Sequence, residues 1–202
     1  MNFSALLSSL DEVGYHIWDH YLSAQQVDAL LASIPDNLTL AGIGLGDDQV
    51  TDTNIRSDRT AWISRSMGSA VSDYLDNMEA LRVAVNQQFF LGLFEYEAHY
   101  ALYKKGDFYE RHLDAFREQE SRKLTTVLYL NQDWKPSDKG ELVIYDIDGN
   151  QLEIIPPRAG RLVTFFSEEF PHEVLPAGAA RYSIAGWFRI NGVTEKSFDI
   201  AR

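Results

Sequence analysis

Four side chains in the second half of the chain have types and spacing that could do chemistry together. They are His112 and Asp114 in His112-Leu113-Asp114, His172 in Pro171-His172-Glu173-Val174, and Arg181 nine residues further on. Two imidazoles and one carboxylate on a single face of a divalent iron leave three coordination positions open, enough for a chelating co-ligand and dioxygen together. A closed four-ligand site has no such room. If His112 and Asp114 share an extended strand, side chains two apart project to the same side and both reach one ion. His172 would then arrive from a distant strand. Arg181 offers a planar, permanently charged fork suited to the far carboxylate of a dicarboxylic acid. The dyad alone is weak: with 30 acidic residues among 202, five histidines give about 0.7 such pairs by chance. The signal lies in the order of dyad, second histidine and arginine within strand-like sequence.

Something must hold these groups in place, and the periodicities say what. Phe3, Leu6, Leu7 and Leu10 predict a short amphipathic helix over 3–13, with Ser4 near its cap. Ser23-Ala24-Gln25-Gln26 has capping-box spacing ahead of Val27, Leu30, Leu31 and Ile34, and Pro35-Asp36-Asn37 ends that helix. Met67 to Val85 keeps a helical period. Beyond it the period changes to two. Between Leu93 and Tyr103, His99 and Ala101 share a face with Tyr103; over 123–130, Thr125, Val127 and Tyr129 share another. Asp148-Gly149-Asn150 is a tight hairpin turn. In the last strand Arg181, Ser183, Ala185 and Trp187 look one way, and Tyr182, Ile184, Gly186 and Phe188 the other. The expected fold is mainly β with N-terminal helices (α+β): a double-stranded β-helix, the jelly-roll or cupin-like arrangement, braced by helices. One domain is expected over 1–202, with a helical part at 1–37, a jelly-roll core at 38–190 and a tail at 191–202.

Composition narrows the partners. Eighteen basic against 30 acidic residues give a formal charge of −12, which repels nucleic-acid phosphates and anionic membranes. With no cysteine there is no disulfide framework and no thiolate-held metal. No stretch approaches the ~18 apolar residues of a membrane span, and a cytoplasmic location is the expectation. His16 and His20 stand at the spacing of a helical metal pair, but Ile17 occupies the place where a zinc protease needs its glutamate, so a structural role is expected. Gly42, Gly44 and Gly46 could suggest a phosphate loop. Asp47 and Asp48 follow instead of Gly-Lys-Ser/Thr, and a loop bordering a pocket fits better.

Taken together, residues 38–190 resemble the 2-oxoglutarate and Fe(II)-dependent dioxygenases, and within them the prolyl hydroxylases of the hypoxia-inducible-factor type and their bacterial relatives. The likeness is carried by Ile55-Arg56-Ser57-Asp58 with Thr60-Ala61-Trp62-Ile63, by the segment from Tyr103 to Asp114, by Tyr129-Leu130-Asn131-Gln132-Asp133-Trp134, and by the stretch from Ala159 to Phe188. The resemblance implies that His112, Asp114 and His172 hold Fe(II), and that Arg181 and Tyr129 hold the distal carboxylate of 2-oxoglutarate, with Tyr103 and Val174 beside it. It implies O2 as the second cosubstrate and ascorbate as a reductant. It places Arg122, Trp187, Arg56 and Asp58 toward a peptide substrate. His99, on the pocket face, is either a polar group on the substrate side or a rim residue paired with an acid. The implied reaction is hydroxylation of a prolyl residue, at C4, in a protein, a translation factor being one such target, with release of succinate and CO2. Two other readings stay open: hydroxylation of another residue or a free amino acid, and a non-catalytic jelly-roll module with a structural metal.

Overall fold

The structure is a computed structural model that describes residues 1–42, 52–115 and 121–191, together with the backbone of two short strands at 193–194 and 197–198. Residues 43–51, which include most of the glycine-rich loop noted above, and the side chains of the tail after Asn191 therefore lie outside the described residues.

At the centre runs β11 (Arg181–Ile190), paired antiparallel along its length with β4 (Leu93–Tyr103) on one side and β6 (Arg122–Tyr129) on the other. Outward from these lie β9 (Leu162–Phe166) and β1 (Tyr15–Trp18) at one end, and β3 (Arg59–Trp62) and β2 (Thr39–Leu40) at the other, giving the order β1-β9-β6-β11-β4-β3-β2. A second sheet has the order β5-β10-β7-β8, from β5 (Tyr109–His112), β10 (His172–Val174), β7 (Leu142–Tyr145) and β8 (Gln151–Ile155). One apolar cluster joins the facing surfaces, with Ala101, Val127, Tyr129 and Val163 from the large sheet against Leu142, Ile144 and Val174 from the small one. Two antiparallel sheets face to face are the jelly roll that the alternation implies.

The other face of the large sheet packs on helices. The expected division of β11 holds: Ile184 and Phe188 join the cluster that contains Leu6 and Leu10 of α1 (Ser4–Val13), Val27 and Leu30 of α2 (Ala24–Leu31), and Val71, Tyr74, Met78, Leu81 and Val85 of α3 (Ser69–Phe89). Gly186 sits on this face because a β-carbon there would lie 2.1 Å from the Tyr96 hydroxyl. That hydroxyl bonds Tyr74 of α3 at 2.7 Å and Thr126 of β6 at 2.8 Å, so the long helix is tied to the centre of the sheet.

Several local details differ from the expectations. Ser4 does not cap α1; its amide donates to Asn2 Oδ1 at 2.9 Å. The Ser23 capping box forms as expected, through Gln26 N to Ser23 Oγ and Ser23 N to Gln26 Oε1. Met67 belongs to a 3-10 turn before α3, and α3 runs on to Phe89. There Asn86 takes over both backbone groups of Leu93, at 2.8 Å each, and Phe90 turns left-handed at φ 54°. His16 lies in a strand, bonded through Nδ1 to Ser9 Oγ at 3.0 Å, and His20 lies in a turn at φ 57°; no helix carries the pair.

Candidate metal centre and cosubstrate pocket

His112 and His172 come together by strand pairing. They are direct partners in the β5–β10 ladder, so one register places both rings on one face, with centroids 4.3 Å apart. Each ring is oriented by its own chain: His112 Nδ1 donates to Glu110 O at 2.7 Å, and His172 Nδ1 to Phe170 O at 3.0 Å. A ring that donates from Nδ1 in its neutral form leaves the Nε2 lone pair free for a cation. Tyr109 stacks on His112 at 3.6 Å, and Phe165 meets His172 edge-on at 4.8 Å, which fixes the ring planes.

Asp114 reaches the same point by a different route. The expectation that it shares a strand with His112 is corrected: β5 ends at His112 and Asp114 occupies the bend beyond it. The large sheet supplies what the strand does not. Thr125 Oγ1 donates to Asp114 Oδ2 at 2.8 Å and is itself 2.8 Å from Ser167 Oγ. The carboxylate then lies 3.5 Å from both His112 Nε2 and His172 Nε2. One donor atom from each residue falls within 4.8 Å of the others, and among the described residues this is the one cluster of that kind. Burial opposes the charge on Asp114, but the two imidazoles and Arg122 outweigh it and hold the carboxyl well below its usual range. Burial lowers His172 to about 4 against the pull of Asp114, so its lone pair is available at neutral pH. Two neutral imidazoles and a carboxylate on one side of an open space suit a divalent iron with exchangeable positions.

The donor atoms line a cavity of about 680 Å³ between the sheets. At its inner end Arg181 is buried and held at several points. Its Nε donates to Gly140 O at 2.8 Å and its Nη1 to Ser183 Oγ at 3.1 Å, while the guanidinium faces the Tyr103 and Tyr129 rings at 4.7 and 5.1 Å. The Tyr129 hydroxyl is buried and has no hydrogen-bond partner of ordinary geometry among the described residues. Burial pushes its ionisation up to about 12, partly offset by Arg181, so it stays a neutral donor. A buried hydroxyl left unsatisfied beside a guanidinium is costly by itself and is relieved by a ligand carboxylate. Tyr103, Val174, Val127 and Leu142 line the path from there to the metal ligands, apolar sides for a short carbon chain.

The outer end holds the remaining residues. Arg122 clamps Glu97 Oε1 through Nε and Nη2 at 2.9 and 2.7 Å and lies 3.7 Å over the Trp187 ring. Arg56 grips Asp58 with two bonds of 2.6 and 2.9 Å and lies 4.6 Å over Tyr109. Arg56 lines the cavity, but Asp58 is wholly buried behind it and holds the arginine instead of meeting a substrate. His99 lines the cavity, and among the described residues no acid is bonded to it. Its Nε2 is 3.4 Å from Arg56 Nη2, and burial, then Arg56 and Arg122, keep it neutral well below the usual range.

Two functional residues, Gly140 and Ser167, carry no signal in the sequence. Gly140 has φ 75°, and a β-carbon there would lie 3.0 Å from Arg181 Cδ, so the glycine makes room for the arginine it also bonds. No local pattern marks it, because its partner is 41 residues away.

The fold, the triad and the buried arginine define a class, and the comparisons agree on it. Residues 98–189 match the model of the 2OG-Fe(II) oxygenase superfamily. The chain belongs to this superfamily and is of the prolyl-hydroxylase type, with Fe(II), 2-oxoglutarate and O2 as the family's reactants. It is 41% identical to a Pseudomonas putida prolyl-4-hydroxylase of known structure, with a TM-score of 0.83 over 95% of this chain and 100% of that one. A Trichoplax adhaerens prolyl hydroxylase, solved with a peptide fragment of the hypoxia-inducible factor oxygen degradation domain, is 28% identical with a TM-score of 0.77 over 91% of this chain and 87% of that one. Egl nine homolog 1 of Rattus norvegicus is 38% identical over 85 residues, 41% of this chain but 25% of that protein. The chain thus spans a quarter or less of the length of the Egl nine homolog 1 proteins it matches.

Proposed function

We propose that this protein hydroxylates a prolyl residue of a protein or peptide at C4, using 2-oxoglutarate and O2 and releasing succinate and CO2. The observation that carries the reading is the alignment in one cavity of the His112, Asp114, His172 cluster with the Arg181 and unsatisfied Tyr129 pair. Fe(II) with its two cosubstrates supplies the oxidising power when bound there. The chain's own part is positional. Glu110 O and Phe170 O set the imidazole tautomers, and Thr125 aims the carboxylate. Arg181 and Tyr129 fix the far end of the cosubstrate, and the apolar walls limit water around it. The outer mouth, with Trp187, His99 and the arginines Arg56 and Arg122, receives the peptide.

A non-catalytic module would need the metal ligands but not a buried arginine and a spare hydroxyl facing them. For the target we propose a cytoplasmic protein, a translation factor among the candidates, on the strength of the likeness to bacterial prolyl hydroxylases; ascorbate is the proposed reductant. The test is mass spectrometry of the host proteome with and without the protein. Hydroxylation appears as +16 Da on proline that depends on an intact His172. A mark on other residues only, or succinate formation with no proline mark, sinks the prolyl reading.

A further inference from the structure

Strand pairing sets one cross-strand row on the cavity face of the large sheet: Trp62, His99, Ala185, Val127 and Val163, from β3, β4, β11, β6 and β9 in turn. Its inner members are covered. Trp62 is not: it is 57% exposed, although it lies on the face that elsewhere forms the cavity. A tryptophan left this open on an interior face loses much of the burial that a ring of its size usually gains. β2 pairs with Arg59 and Thr60 only, so no strand among the described residues covers Trp62 from the far side. The indole meets His99 edge to face, centroids 5.2 Å apart at 83°, and His99 in turn meets Trp187 at 5.3 Å. Three aromatic rings therefore run without a break from the wall of the metal cavity to the surface.

His99 fits this role better than that of a metal ligand or acid–base group. Arg56 offers only donors, so the nearby His99 Nε2 accepts and the proton sits on Nδ1, a buried nitrogen with no partner among the described residues. The ring is held as a flat spacer between the two tryptophans, kept uncharged first by its burial and then by Arg56 and Arg122.

We propose that Trp62, with His99 as the residue that positions it, forms a docking floor continuous with the metal cavity, which takes the side chain of a residue adjacent to the target proline and selects an aliphatic over a cationic one. This rests on the prolyl-hydroxylase reading above. The aromatic faces supply apolar area, which an aliphatic side chain covers without giving up the hydration that the charged head of a lysine or arginine would lose there. The floor sets specificity and does no chemistry on the prolyl ring.

The test uses two sets of synthetic proline-centred peptides that differ only in leucine or lysine on either side of the proline, read by +16 Da on the proline. Wild type is expected to favour leucine. Trp62→Ala should raise KM for the leucine peptides about tenfold, with a smaller change in kcat, and shrink the leucine preference; Trp62→Phe should restore most of it. 2-Oxoglutarate binding, set at the other end of the cavity, should be unchanged. Peptide addition should also alter indole fluorescence in wild type, and less so in Trp62→Phe. If wild type hydroxylates both sets equally, or Trp62→Ala leaves KM for leucine peptides unchanged, the docking floor is overturned while the prolyl reading stands. If no peptide gains the mark but 2-oxoglutarate is still turned over, the prolyl reading falls and the floor with it.

Discussion

The two ends of the cavity are built by different means. At the inner end the backbone does most of the work: His112 and His172 are ladder partners, their Nδ1 atoms bond main-chain carbonyls, and Arg181 is held by the carbonyl of Gly140. At the outer end side chains hold side chains, as Arg122 grips Glu97 and covers Trp187, and Arg56 grips Asp58 and covers Tyr109. Main-chain placement resists substitution at neighbouring positions, whereas a lattice of side chains can be rebuilt one residue at a time. A fixed reaction at one end and an adjustable substrate at the other need this division.

The contrast can be broken from either side. The largest effect is expected at the metal: Asp114→Ala should abolish Fe(II) binding and lower 2-oxoglutarate turnover by on the order of a thousandfold, measured by metal titration and succinate release. Arg181→Lys keeps the charge but loses the fork, and should weaken 2-oxoglutarate binding by roughly a hundredfold with Fe(II) affinity retained. Unchanged affinity would contradict the clamp. Thr125→Val removes the hydroxyl that aims Asp114 and should weaken Fe(II) binding about tenfold, an effect that a purely structural threonine would not produce.

The smallest effect is on pH. In the metal-free protein burial depresses the folded His172 value to about 4, below the ordinary 6.5, so the unfolded chain takes up a proton first as the medium is acidified. Folded stability from this group should be full above about 6.5 and fall as pH drops toward 4. Urea midpoints across that range should fall less in His172→Gln than in wild type.

Where the sequence is informative, the relevant physics is local. The two-residue period alone divides β11 into a cavity face with Arg181 and Trp187 and a helix face with Ile184 and Phe188, as found. The Ser23 to Gln26 cap is a contact across three residues, and it forms as expected. Errors arise where partners are far apart. Spacing within one segment suggests a strand shared by His112 and Asp114, while the restraint of Asp114 by Thr125 from another sheet leaves no local trace. Resemblance places Asp58 toward substrate, yet both its oxygens are used by Arg56. Residues 15–18 pair with β9 at the border of the large sheet, a partner nearly 150 residues away that no nearby residue announces. Register between distant strands follows from closing the whole sheet, and no single strand encodes it.

The unequal parentage of the three metal ligands has a mechanical consequence. Both histidines hang from the small sheet, whereas the aspartate is fastened through Thr125 to the large one. An ion gripping all three is a rivet through two plates, and withdrawing it should let the plates breathe along their seam. Amides of β5 and β6, though they belong to separate layers, would then exchange faster together when the metal is stripped.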